Sequence, residues 1–235
     1  MNVLELFAGS RSVGNKADEL GMKVFSCDWT AYDNIDFVGD IENLDSKDIP
    51  FVPDVIWASP DCTTYSIAAI SHHRDNGKPK SEYAVKCDRV NKHFMNLIRY
   101  YLEINPSLVY FIENPRGYFR KMDFINNFIH ETGGKRETVW YCTYGDSRAK
   151  PTDIFTNSKS WIPRPQCKNG NKNCHHEPAP RGSKTGTQGK KGSYNRSKIP
   201  SELCEEVLKS IQPLISQTNE KILTNKTTQW KHYTA

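Results

Sequence analysis

The sequence predicts an α/β domain with a mainly parallel sheet and helices on both faces. Three observations carry that assignment. Short apolar strands alternate with amphipathic helical stretches along the chain. Polar residues able to do chemistry (Asp28, Asp40, Cys62, Glu113 and Asn114) fall just past the strands, where such sheets bind ligands. The 235 residues, 37% of them hydrophobic, suffice for one core.

Residues 2–7 read as a buried strand that runs into a small turn, Ala8-Gly9-Ser10. A helix follows from Arg11 to Leu20 and is stopped by Gly21. Lys23 to Asp28 is a second strand, Phe37 to Asp40 a short third, and Asp54 to Ala58 a fourth. The stretch from about Ser81 to Glu103 is helical, because Val90, Phe94, Leu97, Ile98, Tyr101 and Leu102 form one apolar face. Leu108 to Ile112 is the fifth strand, and a helix covers much of Phe119 to His130. Thr138 to Cys142 and Asp153 to Phe155 are later strands. Pro200 to Ile215 is a closing helix with proline at its start, and the last 18 residues read as a polar, loose tail.

Several classes are excluded. The longest purely apolar run, Leu108 to Ile112, has five residues and cannot cross a bilayer. No basic segment with a long apolar stretch opens the chain, so no secretory leader is expected. The seven cysteines are odd in number and scattered, which argues for a reducing cytoplasm over a disulfide scaffold.

Charge is unevenly spread. Residues 158–198 hold ten basic side chains and one acid, a net +9, while the rest of the chain is −4. This segment has five glycines, four prolines and Ile162 as its only large aliphatic. It cannot bury enough apolar surface to order itself, and it reads either as a contact for a polyanion or as a solvated loop.

The sharpest local feature is Ser59-Pro60-Asp61-Cys62-Thr63-Thr64. A cysteine in a polar, proline-bearing turn is poorly placed for packing, whereas Cys27, Cys87, Cys142 and Cys204 fall within strands and helices. Glu113-Asn114 ends the next strand, so a thiol and a carboxyl would flank one pocket as nucleophile and proton donor. The plainer reading of Glu113-Asn114 is a capping turn. Asp28, Trp29 and Asp40 at successive strand ends fit an adenosine-containing cofactor: ribose hydroxyls for Asp28, an adenine face for Trp29 and an exocyclic amine for Asp40.

These motifs together resemble the DNA cytosine-5 methyltransferase family. Leu6-Phe7-Ala8-Gly9 is similar to its cofactor-binding opening, Pro60-Asp61-Cys62 to its Pro-Cys loop and Glu113-Asn114-Pro115 to its Glu-Asn-Val motif. Arg148-Ala149-Lys150-Pro151-Thr152 resembles the Gln-x-Arg-x-Arg element, and Ser197-Lys198-Ile199-Pro200 the closing Asn-Ala-Val-Pro. The resemblance implies a Rossmann-like S-adenosylmethionine-dependent methyltransferase fold. It implies cofactor contacts from Phe7, Ala8, Gly9, Ser10, Asp28, Trp29, Asp40, Ile41, Pro60 and Ser197. It also implies that Cys62 attacks C6 of a flipped cytosine, Glu113 assists at N3, Asn114 orients the loop, and Arg148 and Lys150 hold the base and its phosphates. Departures from the family are Asp61 beside the nucleophile, where like charge disfavours a thiolate unless Arg148 or another cation offsets it, and Arg11-Ser12 in place of a glycine pair.

The implied organisation is a catalytic domain over 1–157, rejoined by 196–217, with a small basic target-recognition insert over 158–195 and a tail over 218–235. Candidate DNA contacts are Arg181, Lys184, Thr185, Gln188 and Tyr194, with Thr187 beside them. Cys167, Cys174, His175 and His176 form a candidate zinc site in which the two thiols and one histidine give three ligands and a fourth comes from elsewhere. The expected protein is a monomeric, stand-alone modifier of double-stranded DNA, of the phage or restriction-masking kind, in a prokaryotic or phage-infected cytoplasm. An RNA cytosine-5 methyltransferase and a catalytically impaired DNA-binding relative are the alternatives.

Overall fold

The computed structural model describes residues 1–179 and 192–211. In chain order they form β1 (Asn2–Leu6), α1 (Ser12–Glu19), β2 (Lys23–Asp28), β3 (Phe37–Val38), β4 (Val55–Ala58) and α2 (Ile70–His73). A two-residue hairpin follows, β5 (Arg74–Asp75) and β6 (Lys78–Pro79), then α3 (Glu82–Ile104), β7 (Val109–Pro115) and α4 (Asp123–Glu131). The last elements are β8 (Lys135–Trp140), β9 (Pro151–Thr156), α5 (Ser193–Ser197) and a helix, α6, over 201–211. Residues 212–217 of the expected closing helix and the tail at 218–235 lie outside the described residues.

The main sheet has seven strands in the order β3-β2-β1-β4-β7-β9-β8. Strands β1, β2, β3, β4 and β7 are mutually parallel. Strand β9 runs antiparallel to both β7 and β8. This order, with one reversed strand near an edge, is the Rossmann-like methyltransferase fold. Consecutive strand residues point to opposite faces, so each strand feeds two cores. Leu4, Leu6, Ile56, Tyr110 and Ile112 pack with Phe94, Leu97 and Ile98 of α3 and Phe128 of α4. Val3, Val55, Trp57, Val109 and Phe111 pack on the other face with Val13 and Ala17 of α1 and Leu203, Val207 and Ile211 of α6. Both faces are covered, which is why the strands carry few polar residues. Among the described residues no helix is long and apolar enough to cross a membrane.

Several boundaries differ from the sequence reading, among them β7, which runs on to Pro115, and β9, which spans Pro151–Thr156. The third strand is only Phe37–Val38. Strand β8 starts three residues earlier than expected and ends at Trp140, so Cys142 sits in a 3-10 turn over Tyr141–Tyr144 rather than in a strand. The hairpin and α2 had no periodicity to announce them, being two to four residues long.

The turn after β1 is conformationally demanding. Phe7, Gly9 and Arg11 all have left-handed φ values, 57°, 52° and 54°. Arg11 is held there by bonds from its guanidinium to Ser26 Oγ at 3.0 Å, Asn15 Oδ1 at 3.1 Å and Asp18 Oδ2 at 2.6 Å. Beneath the turn, Glu5 of β1 is buried and accepts from the Val13 N–H at 3.1 Å and the Ser26 hydroxyl at 3.0 Å.

Burial pushes the Glu5 carboxyl up from 4.5 to about 7, against the opposing hydrogen bonds and the Arg11 charge. The folded chain therefore holds a proton that the unfolded chain has released. The stability linked to this proton is complete below about pH 4.5 and is lost as pH rises through about 7, a change on the order of 3 kcal/mol. Chemical denaturation between pH 5 and 8 should show that decline, and Glu5→Gln, which cannot ionise, should flatten it. An equal decline in the variant would assign it to another group.

Candidate active site

The sheet order reverses between β1 and β4, because β2 lies on one side of β1 and the later strands on the other. Connections leave in opposite directions there and open a crevice beyond the strand ends. A cavity of about 320 Å³ occupies it, lined by Phe7 and Gly9 after β1, Asp28 after β2 and Ser59 to Asp61 after β4. The C-terminal segment closes the opposite wall. A Cβ on Gly9 would meet Ser197 Oγ at 3.0 Å, and the Ile199 N–H donates to Ser12 Oγ at 3.1 Å.

Of the ten residues expected at a cofactor, Phe7, Gly9, Asp28, Trp29, Asp40, Ile41, Pro60 and Ser197 line this cavity. Ala8 and Ser10 do not; the Ser10 hydroxyl turns to Ser12 Oγ at 2.9 Å. Asp28 shapes the turn, with Oδ2 accepting from the Gly9 N–H at 2.8 Å and Oδ1 from the Thr30 N–H at 2.9 Å. Asp40 pairs with Lys86 at 2.6 Å. Although partial burial opposes it, the bonds from Lys86 and the Glu42 N–H hold the Asp40 carboxyl below its ordinary range. Helix α3 contributes Lys86, Val90 and Asn91, which the sequence reading treated only as part of a packing helix. Asn91 is buried, and its Oδ1 has no partner.

The loop carrying Cys62 is fixed from several sides. The Asn114 amide donates to the Pro60 carbonyl at 3.1 Å, tying the loop to β7. Cys62 itself has φ −93° and ψ −4° and opens a 3-10 turn over Thr63–Tyr65. Arg74, fully buried, donates to Thr64 O and Thr64 Oγ1, both at 3.0 Å, and pairs with Asp88 at 2.7 Å. Its guanidinium lies 4.2 Å from the centre of the Tyr65 ring, and the Tyr65 hydroxyl also donates to Asp88 at 2.7 Å. A buried guanidinium with a carboxylate partner and carbonyl acceptors makes a rigid support.

Strands β4 and β7 are paired up to Ala58 opposite Ile112, where β4 ends; Glu113 and Asn114 lie one step further within β7, still paired with β9, and not in the strand-end or capping turn the sequence suggested. Glu113 is buried and accepts from the Tyr141 hydroxyl at 2.9 Å. Lys150 Nζ stands 3.5 Å from the same carboxylate oxygen and 4.6 Å from the centre of the Tyr141 ring. The half-buried Cys62 thiol feels all of these charges. Burial, with Asp61 and Glu113 adding to it, pushes the thiol up to about 11 although Lys150 pulls it down. Asp61 is itself engaged, accepting from the Thr63 N–H at 2.6 Å and the Tyr83 hydroxyl at 2.9 Å.

Other expected site residues lie elsewhere. Arg148 does not face the cavity: its buried guanidinium is bidentate on Asp146, at 2.9 and 2.5 Å, and donates to the Lys198 carbonyl at 3.1 Å. The cation acting on Cys62 is therefore Lys150, and Arg148 ties the C-terminal segment to the loop after β8. Tyr194 turns toward the cavity, where its ring centre lies 5.1 Å from that of Tyr32. Arg181, Lys184, Thr185, Thr187 and Gln188 lie outside the described residues.

The Cys/His cluster also differs from expectation. Ligand atoms of Cys142, Cys167, Cys174 and His176 lie within 4.8 Å of one another. His175 stands apart, exposed, with Nε2 at 3.1 Å from the Asp146 carbonyl. Cys142 was missed because its apolar surroundings read as strand interior, and nothing in local spacing links it to Cys167.

No family model matches the chain. A probable DNA (cytosine-5)-methyltransferase of Frog virus 3 (isolate Goorha) is 29% identical over 170 residues, covering 70% of this chain and 74% of the viral protein. Among solved structures, S. pombe Dnmt2 methyltransferase aligns with a TM-score of 0.47 and 14% identity, over 69% of this chain and 51% of its own. A Spodoptera frugiperda DNMT2 mutant aligns with a TM-score of 0.47 and 15% identity, over 71% of this chain and 56% of its own. The chain thus spans about half the length of these two structures. Over most of both sequences, then, the chain is similar to a probable viral DNA (cytosine-5)-methyltransferase.

Proposed function

We propose that the chain is an S-adenosylmethionine-dependent cytosine-5 methyltransferase whose acceptor is double-stranded DNA. The observation that carries this reading is the pairing of a half-buried thiol with a buried carboxyl, Cys62 in the loop after β4 and Glu113 in the adjacent β7, with Lys150 acting on both. The adjoining cavity suits the cofactor. Asp28 and Asp40 supply acceptors, Phe7, Ile41 and Val90 supply apolar surface, and Asn91 Oδ1 is a buried acceptor with nothing to accept from. Bound S-adenosylmethionine supplies an electrophilic methyl group. The viral relative and the +9 segment support DNA as the acceptor.

The chain's residues then divide the work. A cytosine extruded from the duplex enters the space between Cys62 and Glu113. Cys62 gives up its proton to solvent and adds to C6 as the thiolate, while Glu113 hydrogen-bonds to or protonates N3, so negative charge does not accumulate on the ring. The electron-rich C5 takes the methyl group. Loss of the C5 proton, return of the N3 proton and expulsion of Cys62 restore the aromatic ring. Tyr141 and Lys150 hold the Glu113 carboxyl in place, and Asn114 holds the loop through Pro60.

DNA containing 5-fluorocytosine blocks the last elimination, so the protein should be trapped on it as a denaturation-resistant adduct. Cys62→Ala should form no adduct and no 5-methylcytosine, and Glu113→Gln should slow methylation by roughly 100- to 10,000-fold. Methylation by Cys62→Ala at the native rate would overturn the chemistry. Structured RNA outcompeting duplex DNA as acceptor would overturn the substrate and leave the chemistry standing.

The Cys62 thiol, pushed up to about 11, is protonated at neutral pH, so its reactive fraction grows as pH rises toward that value. Peptide-resolved alkylation of Cys62 in the free protein should accelerate about tenfold per pH unit between pH 7 and 9. Lys150→Met, which removes the one cation drawing the thiol down, should slow alkylation throughout that range. A plateau reached below pH 8 would contradict the assigned environment.

A further inference from the structure

We propose that Cys142, Cys167, Cys174 and His176 form a structural zinc site that fastens the basic segment to the catalytic domain. The four ligand atoms lie within 4.8 Å of one another, on residues that come from two separate parts of the chain. A tetrahedral zinc with three sulfurs and one nitrogen needs ligand atoms about 3.6–3.8 Å apart. Cys167 Sγ and His176 Nδ1 already stand 3.8 Å apart, and small side-chain rotations bring in the others.

The surroundings ask for an ion. His176 is 4% exposed, one ring nitrogen faces a sulfur, and the other, Nε2, has no partner. A metal bound at Nδ1 would satisfy the nitrogen that now meets only sulfur, leaving Nε2 still without a partner. Cys142 is 2% exposed, and all three thiols are free. The segment from 166 to 179 has Ala179 as its only aliphatic, and the apolar anchoring recorded for it is limited to Cys167 and Cys174 packing on the small cluster of Trp140, Cys142 and Ala149. It is nevertheless folded back on itself, with Asn169 bonded both ways to Ala179 at 2.9 and 3.1 Å. Mixed thiolate and imidazole ligands with no open position are those of a structural zinc centre.

The consequence reaches the cavity wall. The segment meets the loop after β8 through the Glu177 N–H on the Ser147 carbonyl at 3.0 Å, and His175 meets Asp146 in the same place. Arg148, two residues beyond, grips the Lys198 carbonyl, and Ser197 lines the cavity. A metal at Cys142 thus braces the loop that holds the C-terminal wall. The site stands independently of the reaction proposed above.

The test is metal analysis of the full chain purified without chelator from zinc-supplemented cells. About one zinc per chain is expected, with under about 0.2 in Cys142→Ala and about one in His175→Ala. If Cys142→Ala fails to fold, cobalt(II) reconstitution of the unmutated chain decides instead. Intense tetrahedral visible bands with strong thiolate-to-cobalt charge transfer are expected. Less than about 0.2 zinc in the unmutated chain, a weak octahedral cobalt spectrum, or loss of zinc in His175→Ala but not in His176→Ala would overturn the assignment.

Discussion

The sheet reverses its winding between β1 and β4, and the gap left there governs the chemistry of the molecule. Backbone donors and acceptors at that edge have no neighbouring strand to continue into, so the loops must satisfy them. They do so by turning tightly. Asp28 folds the Phe7–Gly9 turn over itself through the Gly9 N–H, and Asn114 ties the Pro60 carbonyl to β7. The small residues and left-handed conformations of the first turn make sense only as the rim of this crevice.

Around Cys62 the protein sets opposing influences against each other. Burial and two carboxylates keep the sulfur protonated, and one ammonium works the other way. In the resting protein the balance favours the unreactive thiol. A cysteine held in this state is protected from adventitious oxidation and alkylation, since both proceed through the thiolate. Asp61, which looks out of place by sequence, is occupied in shaping the loop through Thr63 and Tyr83.

Much of this was legible in the sequence because it is local. Alternating apolar strands and helices give the layered fold, and the loop after β4 and the C-terminal part of β7 give Cys62 and Glu113. What was not legible is tertiary. The direction of β9 is absent from its composition, since Pro151–Thr156 would read the same either way. Arg148 sits in a motif whose resemblance placed it at the base, yet Asp146, two residues away, captures it. Tyr194 was assigned to the polyanion contact because its neighbours in sequence are basic, but its neighbour in space is Tyr32. Cys142 carries no local cue at all, because its partners lie beyond an intervening strand.

The contact of Ser197 with the Gly9 turn has a bearing on biosynthesis. Cys62, Glu113 and most of the crevice are specified by the first 157 residues, yet Ser197 on the far wall emerges from the ribosome about 40 residues later. A nascent chain therefore displays an open-sided crevice while the loop carrying Cys62 is already specified. Translation has to pass this wall before the crevice is closed on that side.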